Sequence, residues 1–233
     1  MKNLILILLL NLINPIIAQH KYPDLKYITI DKSYLNGEFG YPNSAKFKLV
    51  NRFCSDSKEC YDYGDPITLI GNWNLSNGKY IEFYYKEAPS NDPTFIAVYN
   101  NEIILEEFGS TFHLKGKIAY IEGSANSYFD KKRKFKFDNE KYKEVKQPFY
   151  YINSEGRLNF PISIYETEEF INKVAQLPKG YKITILLGIT GGEYNELQKI
   201  LIKSEFGLIG WFDFKKLGYN NEPLIPYFYF NGD

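Results

Sequence analysis

The chain has 233 residues, of which 44% are hydrophobic, with 21 Tyr and 18 Phe among them. This is the composition of a folded chain rather than a disordered one, long enough for one large or two small domains. Its 28 basic and 28 acidic residues cancel, which removes the electrostatic case for a nucleic-acid partner or a strongly acidic one.

The N-terminus reads as an address. Lys2 supplies a positive start, and Leu4 to Leu10 form an uncharged apolar run that Leu12, Ile13, Ile16 and Ile17 extend. Ala18 is a small residue at a cleavage point, followed by polar Gln19 and His20. The pattern predicts a signal peptide over residues 1–18. A membrane span needs about 20 mostly apolar residues, whereas Asn11, Asn14 and Pro15 interrupt this run. No Cys lies at the cleavage point, so no lipid anchor is expected, and no later stretch reads as a span. The expected mature chain is secreted or periplasmic, without an integral membrane segment. Residues 19–157 form a β-rich domain of unknown role, and 158–233 form a second domain.

In chain order, alternation dominates. Phe47 and Leu49 alternate with Lys46 and Lys48, as on a half-buried strand. Between Cys54 and Cys60 lie only five residues. In an oxidising compartment that spacing predicts a small-loop disulfide, with free thiols as the alternative. A metal site would need about two further ligands, and the only histidines are His20 and His113. No metal and no cofactor are therefore expected.

Tyr80 to Lys86 places Ile81, Phe83 and Tyr85 on one face of a strand. Phe95 to Tyr99 and Glu102 to Leu105 predict a hairpin closed by Asn100-Asn101, because Asn tolerates the positive φ of a two-residue turn. Leu114 to Ile121 reads as one strand bent at Gly116. In Lys131 to Phe137, Phe135 and Phe137 alternate with Lys134 and Lys136. The basic run reads either as an anionic-lipid or glycan site or as a strand with a solvated lysine face. Phe149 to Ile152 is a strand closed by a turn at Asn153 to Gly156.

Helical signals are short. Thr167-Glu168-Glu169-Phe170 has capping-box types leading into Ile171 and Val174, and Glu193 to Gln198 could form one turn. The C-terminal strands are then Pro161 to Tyr165, Val174 to Leu177, Tyr181 to Leu186, Lys199 to Lys203 and Leu208 to Phe212. Pro178-Lys179-Gly180 and Ser204-Glu205-Phe206-Gly207 supply turns between them. Leu224 to Phe230 reads as a terminal strand pairing with a sheet edge.

Three motifs in this order carry a resemblance: the leading Ile162-Ser163-Ile164-Tyr165, the turn Leu177-Pro178-Lys179-Gly180, and the hairpin ending Gly207-Leu208-Ile209-Gly210-Trp211-Phe212. Residues 158–217 resemble the bacterial SH3-like family, with an enlarged loop at Gly188 to Leu197. The resemblance implies a small barrel and a binding module, often for a cell-wall component or a proline-containing or extended peptide. Tyr165, Tyr194 and Trp211 are the candidate ligand groove; alternatively Trp211 belongs to the barrel core. The expected fold class is all-β, with an N-terminal β-sandwich or open barrel followed by the SH3-like barrel.

Catalytic sets are scarce. His113 is the one candidate to move a proton in a nucleophilic triad, no Gly-x-Ser-x-Gly elbow occurs, and His113 reads as structural. Glu106 and Glu107 are adjacent, so a strand points them to opposite faces, away from a shared glycoside. Glu166, Glu168 and Glu169 sit where helix-dipole stabilisation would place acids. The expectation is a non-catalytic protein that binds a peptide, a protein or a cell-wall component. A structural protein with the module packed on its neighbour, and a wall hydrolase with a targeting module, are the alternatives.

Overall fold

The computed structural model describes residues 22–30, 37–54, 67–75, 78–87, 93–191, 196–217 and 222–232. Residues 1–18, where a signal peptide is expected, and Cys60 and Tyr194 lie outside the described residues. The described chain is all-β, in three sheets. No helix among the described residues is long and apolar enough to cross a membrane.

The first sheet has the order β1 (Leu25–Ile30), β2 (Gly37–Pro42), β8 (Thr111–Lys115), β9 (Ile118–Gly123), β10 (Lys131–Asp138), β11 (Lys141–Glu144). Its β2–β8 pair is parallel and the rest antiparallel. The second is an antiparallel meander of β3 (Phe47–Cys54), β4 (Ile67–Asn74), β5 (Tyr80–Glu87), β6 (Pro93–Tyr99) and β7 (Glu102–Phe108). The expected hairpin at Asn100-Asn101 is present, with φ of 51° and 61° at the two residues.

These two sheets bury one core between them. Phe39 and Phe112 come from the first sheet, Phe83 and Phe95 from the second, and all four rings meet at centroid distances of 5.0 to 6.3 Å. Each such ring contributes roughly 1.5–3 kcal/mol by leaving water. The N-terminal domain is thus a sandwich. β5 is buried on both faces, since Tyr84 packs with Leu69, Ile96 and Cys54 in a separate cluster behind the meander.

The third sheet has the order β12 (Tyr150–Arg157), β15 (Lys182–Gly191), β16 (Glu196–Ser204), β17 (Ile209–Asp213), β13 (Ile162–Tyr165), β14 (Lys173–Leu177). A 3-10 turn at Phe214–Leu217 follows β17. Ile164, Ile185, Ile200 and Ile202 line one face and pack with Phe214, Leu224, Ile225 and Phe228.

Several expectations are corrected. Leu114 to Ile121 is a tight hairpin, not one bent strand: Gly116 takes φ of 66° and reverses the chain between β8 and β9. The turn expected at Asn153 is a bulge, and β12 runs on to Arg157. β12 pairs with β15, so the chain enters the third sheet at Tyr150 rather than after residue 157. No helix starts at Thr167: residues 166–172 form a loop, with φ of 63° at Phe170, and β14 claims the apolar residues that follow. Gln198 likewise lies within β16. The terminal strand is not formed. Leu224, Ile225 and Phe228 are buried as irregular chain, and one isolated bridge ties Asn231 to Ser127.

Ser127 lies in the β9–β10 connection, so this bridge crosses between domains. Tyr128 beside it meets Phe214, Phe228 and Phe230 at 4.8, 5.7 and 5.5 Å. Burial raises the Tyr128 pKa above the ordinary tyrosine value, with Glu196 adding to the shift. Phe129 joins the core of the third sheet outright.

Candidate functional site

The register of the third sheet decides where the expected aromatic residues point. Gly210 and Phe212 face the core, so Trp211 between them faces outward. The barrel-core reading of Trp211 is therefore corrected. Tyr165 sits directly opposite Trp211 across the β13–β17 pair. Cross-strand partners share a face, and the pairing continues from Trp211 to Leu201, from Leu201 to Leu187 and from Leu187 to Tyr151. Five neighbouring strands thus contribute one apolar row to the outer face of the sheet.

The row is half-buried at its centre and open at one end, where Tyr151 is 63% exposed. Phe149 leans on it, its ring 6.1 Å from Trp211. Gly210 makes the approach of β13 possible. A Cβ there would lie 2.9 Å from both the Ile164 Cβ and the Tyr165 carbonyl oxygen.

The loop at 166–172 closes the Tyr165 end. Phe170 meets Tyr165 edge-on at 6.0 Å. The ammonium groups of Lys199 and Lys216 lie 5.7 and 5.8 Å from the Phe170 ring centre, within cation–π range. Glu168 pairs with Lys199 at 3.8 Å, and Asn172 Nδ2 donates to Glu166 at 3.0 Å. A large residue at positive φ is uncommon and strained, and here it holds a ring over the lysines. The acidic residues of this loop are thus used as loop ties, not as a helix start.

Of the expected groove residues, Tyr165 and Trp211 stand together, and Tyr151, Leu187, Leu201, Phe149 and Phe170, which were not expected, lie along the same row. The β12–β15–β16–β17 register brings Tyr151, Leu187 and Leu201 to Trp211, Phe149 and Phe170 reach the row by ring contacts, and alternation within Tyr150-Tyr151 was the one local signal. The third expected groove residue, Tyr194, lies outside the described residues.

His113 occupies a different place. It is 3% exposed, on the outer face of the first sheet beneath Tyr22 and Tyr27. Its Nε2 is 3.2 Å from Glu122 Oε1 and its Nδ1 is 3.1 Å from Tyr27 Oη. A carboxylate only accepts, so Nε2 carries a proton and donates to Glu122, and Nδ1 shares a hydrogen bond with the Tyr27 hydroxyl. Gly40 lies between the two strands in this register, and a Cβ there would meet the Tyr27 ring at 2.7 Å. Burial raises the Tyr27 pKa above the ordinary value, which opposes any use of its oxygen as a nucleophile. Glu106 and Glu107 do not converge: Glu107 is bound by Arg133 at 2.6 Å, and Arg133 also donates to the Phe108 carbonyl.

A third feature is a cleft of about 500 Å³ at the end of the sandwich, lined by Lys46, Trp73, Asn74, Leu75, Gly116 and Lys117 among others. Among the described residues it brings no acid–base pair together. No family model, curated protein or solved structure matches the chain.

Proposed function

We propose that this is an exported, non-catalytic binding protein. In this reading its C-terminal domain is an SH3-like module that takes an extended peptide or cell-wall chain along the Tyr151–Leu187–Leu201–Trp211–Tyr165 row. The observation that carries the proposal is the direct Tyr165–Trp211 pairing at the head of that row. With strands about 4.8 Å apart, five positions span about 19 Å, the length of roughly six extended residues. The row offers apolar contact, while Lys199, Lys216 and Asp213 beside it offer polar anchors, the mixture usual in a ligand site.

The module assignment draws on the β15–β16–β17 meander, the turn with φ of 101° at Gly207 and the 3-10 turn after β17. Export draws on the Lys2-to-Ala18 pattern. Non-catalytic action draws on the enclosure of His113 between Tyr27 and Glu122. A Cys54–Cys60 disulfide accords with export, and Cys54 is buried at the end of β3. Alkylation and mass analysis of the unreduced protein would reveal it by the absence of modified thiols.

The test is retention on purified peptidoglycan and on immobilised extended peptides, with wild type beside Trp211→Ala. The proposal expects retention that the variant weakens by about tenfold or more, as for an aromatic anchor. Absence of retention on every support, or equal retention of the variant, would reject it.

One observation favours a second reading, a structural role with the module fixed on its neighbour. It is the insertion of Tyr128 and Phe129 into the third sheet's core. That reading expects a single melting transition for the whole chain, and two independent transitions would count against it.

A further inference from the structure

The outer face of the first sheet carries a second surface, far in character from the apolar row. Alternation in β10 sends Phe135 and Phe137 into the core and turns Lys132, Lys134 and Lys136 outward. The register extends this ladder sideways: Lys136 is opposite Lys143 on β11, and Lys134 and Lys132 are opposite Tyr120 and Glu122 on β9. Alternate strand residues repeat at about 6.7 Å, so three ammonium groups are carried along about 13 Å. Lys132, Lys136 and Lys143 are exposed and Lys134 is half-buried. Glu122 answers part of this charge, pairing with Lys132 at 3.7 Å, but it is shared with His113. A chain with no net charge thus gathers one sign on one strand face, which raises the local concentration of anions.

The face is also recessed. A cleft of about 190 Å³ opens within the ladder, lined by Tyr120, Glu122, Lys132, Lys134, Val145 and Gln147 among others. Its wall is fixed by two bonds to β10. The Val145 N–H donates to the Lys134 carbonyl at 2.7 Å, and Gln147 Nε2 donates to the Lys132 carbonyl at 2.6 Å. Tyr22 stacks on Tyr120 at 5.4 Å and holds that ring in place.

We propose that this face binds an acidic polysaccharide. One sugar ring lodges in the cleft against Tyr120 and Val145, and successive carboxylate or sulfate groups lie on Lys132, Lys134 and Lys136. A repeating anion matches the repeating lysines. A ring with one apolar face fits a recess with an aromatic and a valine wall, which a layer of lipid headgroups would leave unfilled. The site is separate from the apolar row of the third sheet, and its fate does not depend on that reading.

Titration calorimetry of the full chain with polygalacturonate, with uncharged dextran and with anionic phosphatidylglycerol vesicles is the test. Binding to polygalacturonate that weakens as salt rises, with none to dextran, is the expected result. Each lysine facing an anionic surface is worth about fivefold, so Lys134→Gln with Lys136→Gln should weaken binding by about 25-fold. That pair leaves the Lys132–Glu122–His113 contacts in place, so its melting temperature should match wild type. Val145→Glu, at an exposed position, sets a like charge in the cleft and should weaken binding by about tenfold or more. No binding to polygalacturonate, equal binding to dextran, binding to the vesicles alone, or either variant at wild-type affinity would overturn the proposal.

Discussion

The sandwich and the third sheet draw on the same residue types and place them oppositely. In the sandwich, Phe39, Phe83, Phe95 and Phe112 sit between two sheets that cover each other. In the third sheet, one face is covered by the 3-10 turn, the terminal segment and Phe129, and the other keeps Tyr151, Trp211 and Tyr165 at the surface. Aromatic content alone therefore says little about function. What separates a core ring from a surface ring is whether a second layer exists to cover it.

The largest effect should come from breaking the covered side. Phe112→Ala removes a fully buried ring that touches Phe39, Phe83 and Phe95. It should cost about 3–5 kcal/mol, read as a lower urea midpoint. Tyr151→Ala, at an exposed end of the row, should change stability by less than about 0.5 kcal/mol while weakening ligand retention.

Gly210→Ala attacks the open side from beneath. Its Cβ would press on Ile164 and on the Tyr165 backbone, at a cost of about 1–3 kcal/mol. Part of that would appear as a red-shifted Trp211 emission if β13 moves away. An unchanged melting curve would mean that the close β13–β17 approach does not support the row.

Tyr128→Ala sharpens the boundary between the regions. Loss of its contacts with Phe214, Phe228 and Phe230 should cost about 1–2 kcal/mol. Calorimetry should then show the two domains melting further apart. A uniform shift with no broadening would show that other contacts couple them.

A gain in stability is expected in the sandwich. Tyr142 is buried and its hydroxyl has no partner among the described residues, so Tyr142→Phe should stabilise by about 1 kcal/mol. Burial also raises its pKa above the ordinary 10.0. The folded state therefore keeps a proton that the unfolded chain loses. Stability from this group is whole below pH 10.0 and falls as pH rises beyond it, so the variant should gain further over wild type in alkaline melts. A variant less stable than wild type at neutral pH would show that the hydroxyl is satisfied.

Strands, hairpins and the all-β class were legible because alternation and turn residues act locally. Asn100-Asn101 and Ser204 to Gly207 marked their turns without help from the rest of the chain. Parity was harder. Trp211 and Phe212 are both large and apolar, and only packing of Gly210 against Ile164 and Tyr165 decides which of them faces inward. Thr167 to Phe170 carried helix-start chemistry that lost to pairing of β14 with β13. Leu224 to Phe230 had strand composition, but side-chain burial was satisfied without a ladder. Beyond Tyr165 and Trp211 the apolar row was illegible, because its members come from five strands between residues 151 and 211.

The most direct test of the proposed binding face uses a single-tryptophan protein. Trp73 is buried in the sandwich core, so Trp73→Phe leaves Trp211 as the reporter. Titration with solubilised cell-wall peptide should then give a saturable change in Trp211 emission, which Tyr165→Ala weakens by about tenfold or more. Emission that stays constant across the titration, or changes equally in the Tyr165→Ala protein, would contradict the account.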